Sequence, residues 1–283
     1  MNRYQILIEY VGTNFRGWQI QKKGPTIQGL IQEKLSKLLK EKIDLYGQGR
    51  TDAGVHAFEQ SAHFDCINKI TDKIKFLKSI NHFLNLKDIA IKNVKKRNNK
   101  FHARFSTKQR IYKYFIFNQI NQPIIEKNRA WHVRRPLNLE LMKKGAKKLL
   151  GTHDYSTFRS SSCNAKSPIK TIKSIKIKSS KNKIELQFSS QSFLQHQVRS
   201  MVGCLKYLGE TTWDLKTFEK RFKSKKRTLC APPAPPVVYF YLGFFINLFL
   251  LLIANFLFIR HLDSALKIYP QQFFDLHLQG NCL

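Results

Sequence analysis

The chain has 283 residues and contains 50 Lys and Arg residues against 18 Asp and Glu residues, a formal net charge of +32 at pH 7. A chain of this length can bury a core without disulfides, and its scattered cysteines without a C-x-x-C pair argue against a disulfide framework or a zinc site. The charge predicts a polyanionic partner such as a nucleic acid, because phosphate neutralisation supplies much of the affinity of such binding. AT-rich coding is the alternative source of part of the lysine excess.

The start of the chain enters an alternating pattern at once and lacks the layout of a signal peptide, so we expect a reducing, cytoplasmic location. Hydrophobic periodicity predicts the order β-α-β-β-α-β for the first part of the chain. Thr26 fits the start of the first helix, and Thr71 or Asp72 that of the second. The predicted elements are a strand at 3–10, a helix at 26–40, strands at 43–47 and 60–66, a helix at 72–84 and a strand at 89–94.

The same order of elements is predicted again in the second part, without any repeat at the level of residues. Its elements are a strand at 110–117, a helix at 139–150, strands at 169–177 and 184–188, helices at 192–208 and 215–222, and a last strand at 237–244. Two such halves predict an α+β protein in which helices cover one face of a mainly antiparallel sheet. The predicted divisions are 1–100, 101–245 and an atypical apolar tail at 246–283.

A lone carboxylate lies between two glycines in the stretch Gly-Arg-Thr-Asp-Ala-Gly-Val-His-Ala, which begins at Gly49. Glycines favour a tight loop that can approach a ligand. Asp52 follows Arg50 by two residues, and a nearby arginine favours an ionised carboxylate that can serve as a nucleophile. The alternative is a hairpin turn with a solvated ion pair.

Two short stretches place cations beside aromatic rings, as in RNA-contacting loops. Phe-Arg-Gly-Trp-Gln contains Arg16, Trp18 and Gln19, and Phe-His-Ala-Arg-Phe contains His102 and Arg104. Burial of Trp18 in the core and a structural role for His102 are the alternatives.

Two further residues have the chemistry of a site. Tyr112 lies on a predicted strand, where a phenol could stack on a flipped base and exchange a proton. Arg199 lies on the polar side of a predicted helix and could pair with Asp52. Their alternatives are a packed core tyrosine and a solvated helix charge. No Walker sequence, G-x-G-x-x-G or histidine cluster with ligand spacing is found, so no metal or nucleotide site is predicted.

Together these residues resemble the TruA family of tRNA pseudouridine synthases, in the order in which the family has them. The likeness extends over roughly residues 3–235 and also includes Thr-Phe-Arg ending at Arg159, with the nearby Ser167 and Pro168. Asp52 stands at the position of the essential aspartate of the family and Arg50 at that of its partner arginine. Tyr112 matches the active-site tyrosine, and Arg199 matches a second arginine that pairs with the aspartate.

This resemblance implies isomerisation of uridine to pseudouridine in the anticodon stem-loop of tRNA, at positions 38, 39 and 40, with Asp52 as the nucleophile. It further implies a homodimer, two ferredoxin-like halves with a catalytic cleft between them, and no metal or organic cofactor. The attacked atom, ribose C1′ or the uracil ring, stays open. The RNA contacts expected from the matching motifs are Arg16, Trp18, Gln19, His56, His102, Arg104 and Arg159.

The chain departs from the family pattern in two places. Gln195-His196-Gln197-Val198-Arg199-Ser200 replaces the common His-His-Met-Val-Arg-Asn, and residues 237–259 form an apolar run long enough to cross a bilayer. That run could be a terminal strand followed by an addition, the product of a shifted reading frame near Pro236, or a tail anchor. We favour the shifted frame over membrane contact.

Two rival functions remain open at this stage. A damaged last strand would leave a catalytically impaired tRNA-binding protein, and a true anchor would make a membrane protein that borrowed the fold. The presence of Arg50, Asp52, Tyr112 and Arg199 favours the enzyme over both.

Overall fold

The computed structural model of the protein describes residues 1–236 and the backbone of residues 238–241, all within one compact unit, Met1–Gly243. The elements of the first half are β1 (Asn2–Tyr10), α1 (Ile27–Leu39), β2 (Tyr46–Gly47), β3 (His56–Cys66), α2 (Lys73–Leu84) and β4 (Ile89–Arg97). The elements of the second half are β5 (Arg110–Asn118), β6 (Trp131–Val133), α3 (Leu139–Lys148), β7 (Gly151–Asp154), β8 (Ile169–Ser180), β9 (Lys183–Ser190), α4 (Gln197–Gly209), α5 (Leu215–Lys223) and β10 (Val238–Tyr241).

The strands form one continuous sheet in the order β4-β1-β3-β10-β5-β9-β8-β7, with β2 on β3 and β6 on β5. Each half has the ferredoxin-like arrangement, in which the first and last of its four main strands are neighbours: β4-β1-β3-β2, then β10-β5-β9-β8. The pairing is antiparallel except where β10 runs beside β3 and β6 beside β5. The predicted α+β class with mainly antiparallel strands is confirmed.

Two apolar cores lie between this sheet and the helices. Alternate residues of β1, namely Tyr4, Ile6, Ile8 and Tyr10, are buried in the first core with side chains of α1 and α2. The second core combines β5, β8 and β9 with α3, α4 and α5. Tyr112 of β5 is half-buried and packs against both cores, which places it where the two halves meet.

Four of the five described helices begin at a side-chain cap. Thr26, Asp72, Asn138 and Asp214 each accept a backbone N–H from the first turn of α1, α2, α3 and α5, which satisfies a donor that the helix leaves free. His196, before α4, makes no such bond and has left-handed backbone angles (φ 62°). Its side chain is therefore available for another contact.

Two elements are shorter than their periodicity predicts, because side chains take the backbone groups. The helix expected from residue 192 begins at Gln197, whose Oε1 accepts the Leu194 N–H at 2.7 Å. The strand expected over 43–47 is reduced to Tyr46–Gly47, since Ile43 and Leu45 donate their N–H groups to side chains of α1. The short strands β6 and β7 were not predicted.

The predicted last strand is present as β10, at Val238–Tyr241. Most of the apolar run at 237–259 and the tail at 246–283 lie outside the described residues, so the three explanations of the tail stay predictions. Within residues 1–236 and 238–241, no helix has the length and apolar character needed to span a membrane.

Candidate active site

Asp52 lies in the loop between β2 and β3, residues 48–55, here called the Asp52 loop. Gly54 closes it in left-handed conformation (φ 79°), and the Val55 N–H donates to the Asp52 carbonyl at 3.2 Å. The loop rests on the segment after β1, because the Trp18 N–H donates to the Thr51 carbonyl at 3.1 Å. A Cβ on Gly17 would lie 2.4 Å from that same carbonyl oxygen, so only glycine permits this approach. The Asp52 loop is therefore held by the segment after β1, and it presents the aspartate.

Two residues at the start of α4 contact the carboxylate of Asp52. Arg199 Nη1 donates to Asp52 Oδ2 at 3.0 Å, and His196 Nε2 lies 3.3 Å from the same oxygen. Within residues 1–236 no hydrogen bond reaches the other oxygen, Oδ1. The first and second halves thus meet at Asp52, and one carboxylate oxygen is oriented while the other accepts no hydrogen bond from residues 1–236.

Arg199 is itself held by the segment that leads to β10. Its Nε donates to the Ala234 carbonyl at 2.8 Å, and the Ala234 N–H donates to the Arg199 carbonyl at 3.0 Å. Pro232 runs so close to α4 that a Cβ on Gly203 would lie 2.1 Å from its oxygen. The Tyr114 hydroxyl donates to the Pro235 carbonyl at 2.9 Å. The guanidinium is therefore fixed in two directions, toward the backbone and toward Asp52.

Tyr112 lies beside the Asp52 loop on β5. Its ring packs edge-on against Phe193 at a centroid distance of 5.0 Å. Burial raises the pKa of the Tyr112 phenol well above its ordinary value; Arg110 opposes that rise and the charge of Asp52 adds to it. The phenol is therefore protonated at neutral pH and close enough to the carboxylate of Asp52 to interact with it electrostatically.

Arg50 does not pair with Asp52, contrary to the prediction. Its side chain is exposed, and among residues 1–236 the partners of the carboxylate are Arg199 and His196. Those two groups already occupy Oδ2, and Arg50 precedes the turn that directs Asp52 toward α4. Of the two flanking glycines, Gly54 alone has left-handed angles.

Two predicted RNA contacts are buried instead. Trp18 is 2% exposed and packs so tightly on Gly47 that a Cβ there would lie 2.4 Å from Trp18 Nε1. His56 is 1% exposed: its Nδ1 accepts the Gly12 N–H at 3.1 Å, so its Nε2–H donates to the Asn128 carbonyl at 2.7 Å. Burial lowers the pKa of His56. Both rings are inaccessible to RNA in this structure and have structural roles.

The other predicted contacts lie nearer the surface. Arg16 and Arg104 are exposed, and Gln19 is half-buried. Arg159 Nη2 donates to the carbonyls of Cys163 and Ala165 at 2.6 and 2.9 Å and so holds the loop after it. His102 lies in an aromatic cluster with Tyr46 and Phe105.

Sequence reasoning missed His196 as a partner of Asp52. The available signal was its spacing of three residues before Arg199, which puts both side chains on one side of the helix predicted at 192–208. In the part of the chain that the structure describes, no group of three His, Cys, Asp or Glu side chains is arranged to hold a metal ion. The site as built offers a carboxylate, a guanidinium, an imidazole and a phenol.

Comparison with known proteins places this site in a family. The family model described as tRNA pseudouridine synthase matches residues 6–106 and 146–241. A "tRNA pseudouridine synthase A" of Pelagibacter ubique (strain HTCC1062) is 68% identical over 235 residues, which cover 83% of this chain and 96% of that protein. The protein of the same name from Zymomonas mobilis subsp. mobilis (strain ATCC 31821 / ZM4 / CP4) is 40% identical over 236 residues, with the same coverage of 83% and 96%.

The fold and these relatives are those of an RNA-modifying isomerase. The chain belongs to the TruA family of tRNA pseudouridine synthases, as the resemblance of its motifs predicts, and its substrate is tRNA.

Proposed function

We propose that the enzyme converts uridines at positions 38, 39 and 40 of the tRNA anticodon stem-loop into pseudouridine, with Asp52 as the nucleophile. The observation that supports this proposal is the orientation of the Asp52 carboxylate, which is held through Oδ2 by Arg199 at 3.0 Å and His196 at 3.3 Å. A carboxylate fixed through one oxygen can attack with the other.

The reaction rearranges one nucleoside without net gain or loss of atoms. Attack by Asp52 Oδ1 on ribose C1′ would break the bond from C1′ to N1 of uracil, and attack on the ring would lead to the same break through an adduct. In the first route the base turns, and C5 bonds to C1′ as the bond from C1′ to Asp52 Oδ1 breaks. In the second route the base turns while bonded to Asp52, C5 bonds to C1′, and the bond from Asp52 to the ring then breaks. In both routes C5 loses its proton, N1 gains one, and the carboxylate is regenerated. Both routes start from the same carboxylate.

The neighbouring residues suit this sequence of steps. Arg199 holds the Asp52 carboxylate in its orientation, because its donors are shared between Asp52 Oδ2 and the Ala234 carbonyl. Tyr112 keeps its phenolic proton at neutral pH, so it can stack on the detached base and donate a hydrogen bond to it.

The charge of the protein fits a substrate that must first be opened. A uridine inside a stem is inaccessible to Asp52 until it is flipped out, which costs a few kcal/mol of pairing and stacking energy. A formal net charge of +32 supplies the phosphate attraction that can hold the RNA while this happens.

Release of tritium tests the reaction directly. Purified protein is expected to release the C5 label from an anticodon stem-loop RNA made with [5-³H]uridine, and mass spectrometry should locate pseudouridine at positions 38 to 40. A matched RNA with cytidine at those three positions is expected to release none. Tight tRNA binding without tritium release would favour the impaired binding protein, and release from the matched RNA would refute the proposed positions.

Substitution of Arg199 tests how the carboxylate is aimed. Arg199→Lys keeps the charge but cannot donate to Ala234 and Asp52 in the same geometry, so we expect kcat to fall about a hundredfold. The Kd for tRNA should stay within about twofold, since one positive charge remains. Arg221→Lys is the matched control, because Arg221 also bonds a backbone carbonyl, that of Leu229, away from Asp52. Equal kcat in the two variants would exclude the role given to Arg199.

We further propose that the active form is a cytoplasmic homodimer, which is what the likeness to the family supports. Light scattering of the preparation that releases tritium measures the oligomeric state, and fractionation of tagged protein measures the location.

A further inference from the structure

Three aromatic rings form an exposed surface in the first half, here called the stacking platform: Tyr46, His102 and Phe105. Phe105 is 76% exposed and Tyr46 is 49% exposed, although large rings are normally packed away. Both lie against His102, at centroid distances of 4.4 Å for Phe105 and 6.0 Å for Tyr46. The platform is therefore continuous rather than a set of isolated side chains.

The platform is held in place from beneath. The buried His63 stacks under Tyr46 at 5.1 Å and accepts the Ala103 N–H at its Nδ1. His102 accepts the Arg104 N–H at Nδ1, which leaves the ring fixed over the turn. Burial lowers the pKa of His63 to about 4 and also lowers that of His102, so both rings are uncharged at neutral pH. The rings thus offer rigid, neutral aromatic faces.

Cations border the platform. The Arg104 guanidinium lies 5.7 Å from the centroid of the Phe105 ring, and that of Arg97 lies 5.0 Å from the centroid of Phe101. Next to Phe101 is an open cavity of about 340 Å³ that Arg97 and Lys100 line. Exposed rings flanked by cations are the arrangement used to bind single-stranded nucleic acid, since bases stack and phosphates are neutralised.

Arg110 connects the platform to the Asp52 loop. Its Nη2 donates to the Gln48 carbonyl at 3.0 Å and to the Arg104 carbonyl at 3.4 Å. One guanidinium thus bridges the loop that presents Asp52 and the turn that bears Phe105. The platform and the Asp52 loop are therefore joined through one side chain, and RNA bound at Asp52 could extend to the platform.

We propose that the stacking platform binds an unpaired base of the tRNA other than the reacting uridine, with the neighbouring phosphates at Arg104 and at the cavity lined by Arg97 and Lys100. This inference rests on the proposed function, because a stem-loop offers unpaired bases beside the stem that contains the target. The surrounding positive charge favours RNA over a protein partner as the occupant.

Replacement of Phe105 tests the stacking. Phe105→Ala is expected to raise the Kd for the stem-loop RNA by at least about fivefold, which is the lower end of what one base stacked on an aromatic ring contributes. Phe105→Trp should restore it. Leu86→Ala removes an equally exposed apolar side chain, 82% exposed, and should leave Kd unchanged. Tritium release at saturating RNA is measured beside Kd for each variant, and Leu86→Ala should keep the kcat of the unaltered protein.

The salt dependence separates the two parts of the proposal. Arg104→Gln should reduce the slope of log Kd against log salt by about 0.7, whereas Phe105→Ala should leave that slope unchanged. Tritium release by the unaltered protein shows that the proposed function holds whatever the platform does. In that case, equal Kd values for Phe105→Ala and Leu86→Ala would overturn the inference. A changed oligomeric state with unchanged Kd would also overturn it, in favour of a protein interface.

Discussion

Asp52→Ala is expected to abolish pseudouridine formation, with a loss of about four orders of magnitude or more in kcat, because the substitution removes the proposed nucleophile. RNA binding should persist, since phosphates are held by cations elsewhere on the surface. The variant should also fold, because the Asp52 loop is fixed by backbone bonds at Thr51 and Val55 that do not involve the carboxylate. Single-turnover tritium release measures the chemical step, and filter binding measures Kd.

Asp44→Ala is the matched control for this experiment. Asp44 is an exposed aspartate just before β2, so its loss changes the net charge of the protein by the same amount without touching Arg199. Both variants should bind tRNA alike, and Asp44→Ala should keep full activity. Substantial turnover by Asp52→Ala would refute nucleophilic attack by this residue and leave it an electrostatic role.

A chain that ends at Pro236 is expected to fold poorly, whereas a chain that ends at Gly243 should fold and be active. The shorter chain lacks β10, whose backbone pairs with β3 from Tyr239 to Tyr241 and with β5 from Val238 to Tyr241. Its removal eliminates the backbone hydrogen bonds that two central strands make with it, and each bond contributes roughly 1 kcal/mol to the free energy of unfolding. The loss should amount to several kcal/mol, a large share of the stability of most domains.

Urea denaturation of the two chains measures this difference. The chain ending at Gly243 retains every strand of the compact unit, so it controls for removal of the apolar residues beyond it. If the chain ending at Pro236 unfolded at the same midpoint and released tritium, β10 would be dispensable. The strand that completes the second ferredoxin-like half would then contribute nothing to the free energy of unfolding.

Periodicity and caps were sufficient to predict the fold. The alternation in β1 and the helix starts at Thr26 and Asp72 are local signals. They predict the structure correctly because local preference and tertiary packing agree at these places. β6 and β7 have fewer residues than such patterns need. The shortening of β2 depends on side chains of α1 that accept the N–H groups of Ile43 and Leu45. The residue pattern of a single strand contains no signal of such contacts.

The chemical site was predictable in its residue types and less so in its contacts. The bracketing glycines singled out Asp52. Of the two arginines predicted beside it, the structure confirms the pair with Arg199 of the other half, whereas the neighbouring Arg50 does not contact the carboxylate. His56 sits beside Asp52 in the motif yet is sealed inside by bonds to Gly12 and Asn128. Burial of this kind is decided by how distant segments pack, which a linear motif does not encode.

The place of β10 in the sheet sets the order in which a nascent chain can mature. The ribosome makes β3 and β5 well before β10, so two central strands wait with open edges until nearly the whole unit has been synthesised. The Ala234 carbonyl that holds Arg199 comes just ahead of that strand. The contact that holds Arg199 is therefore completed at about the time β10 is made, together with protection of the exposed edges.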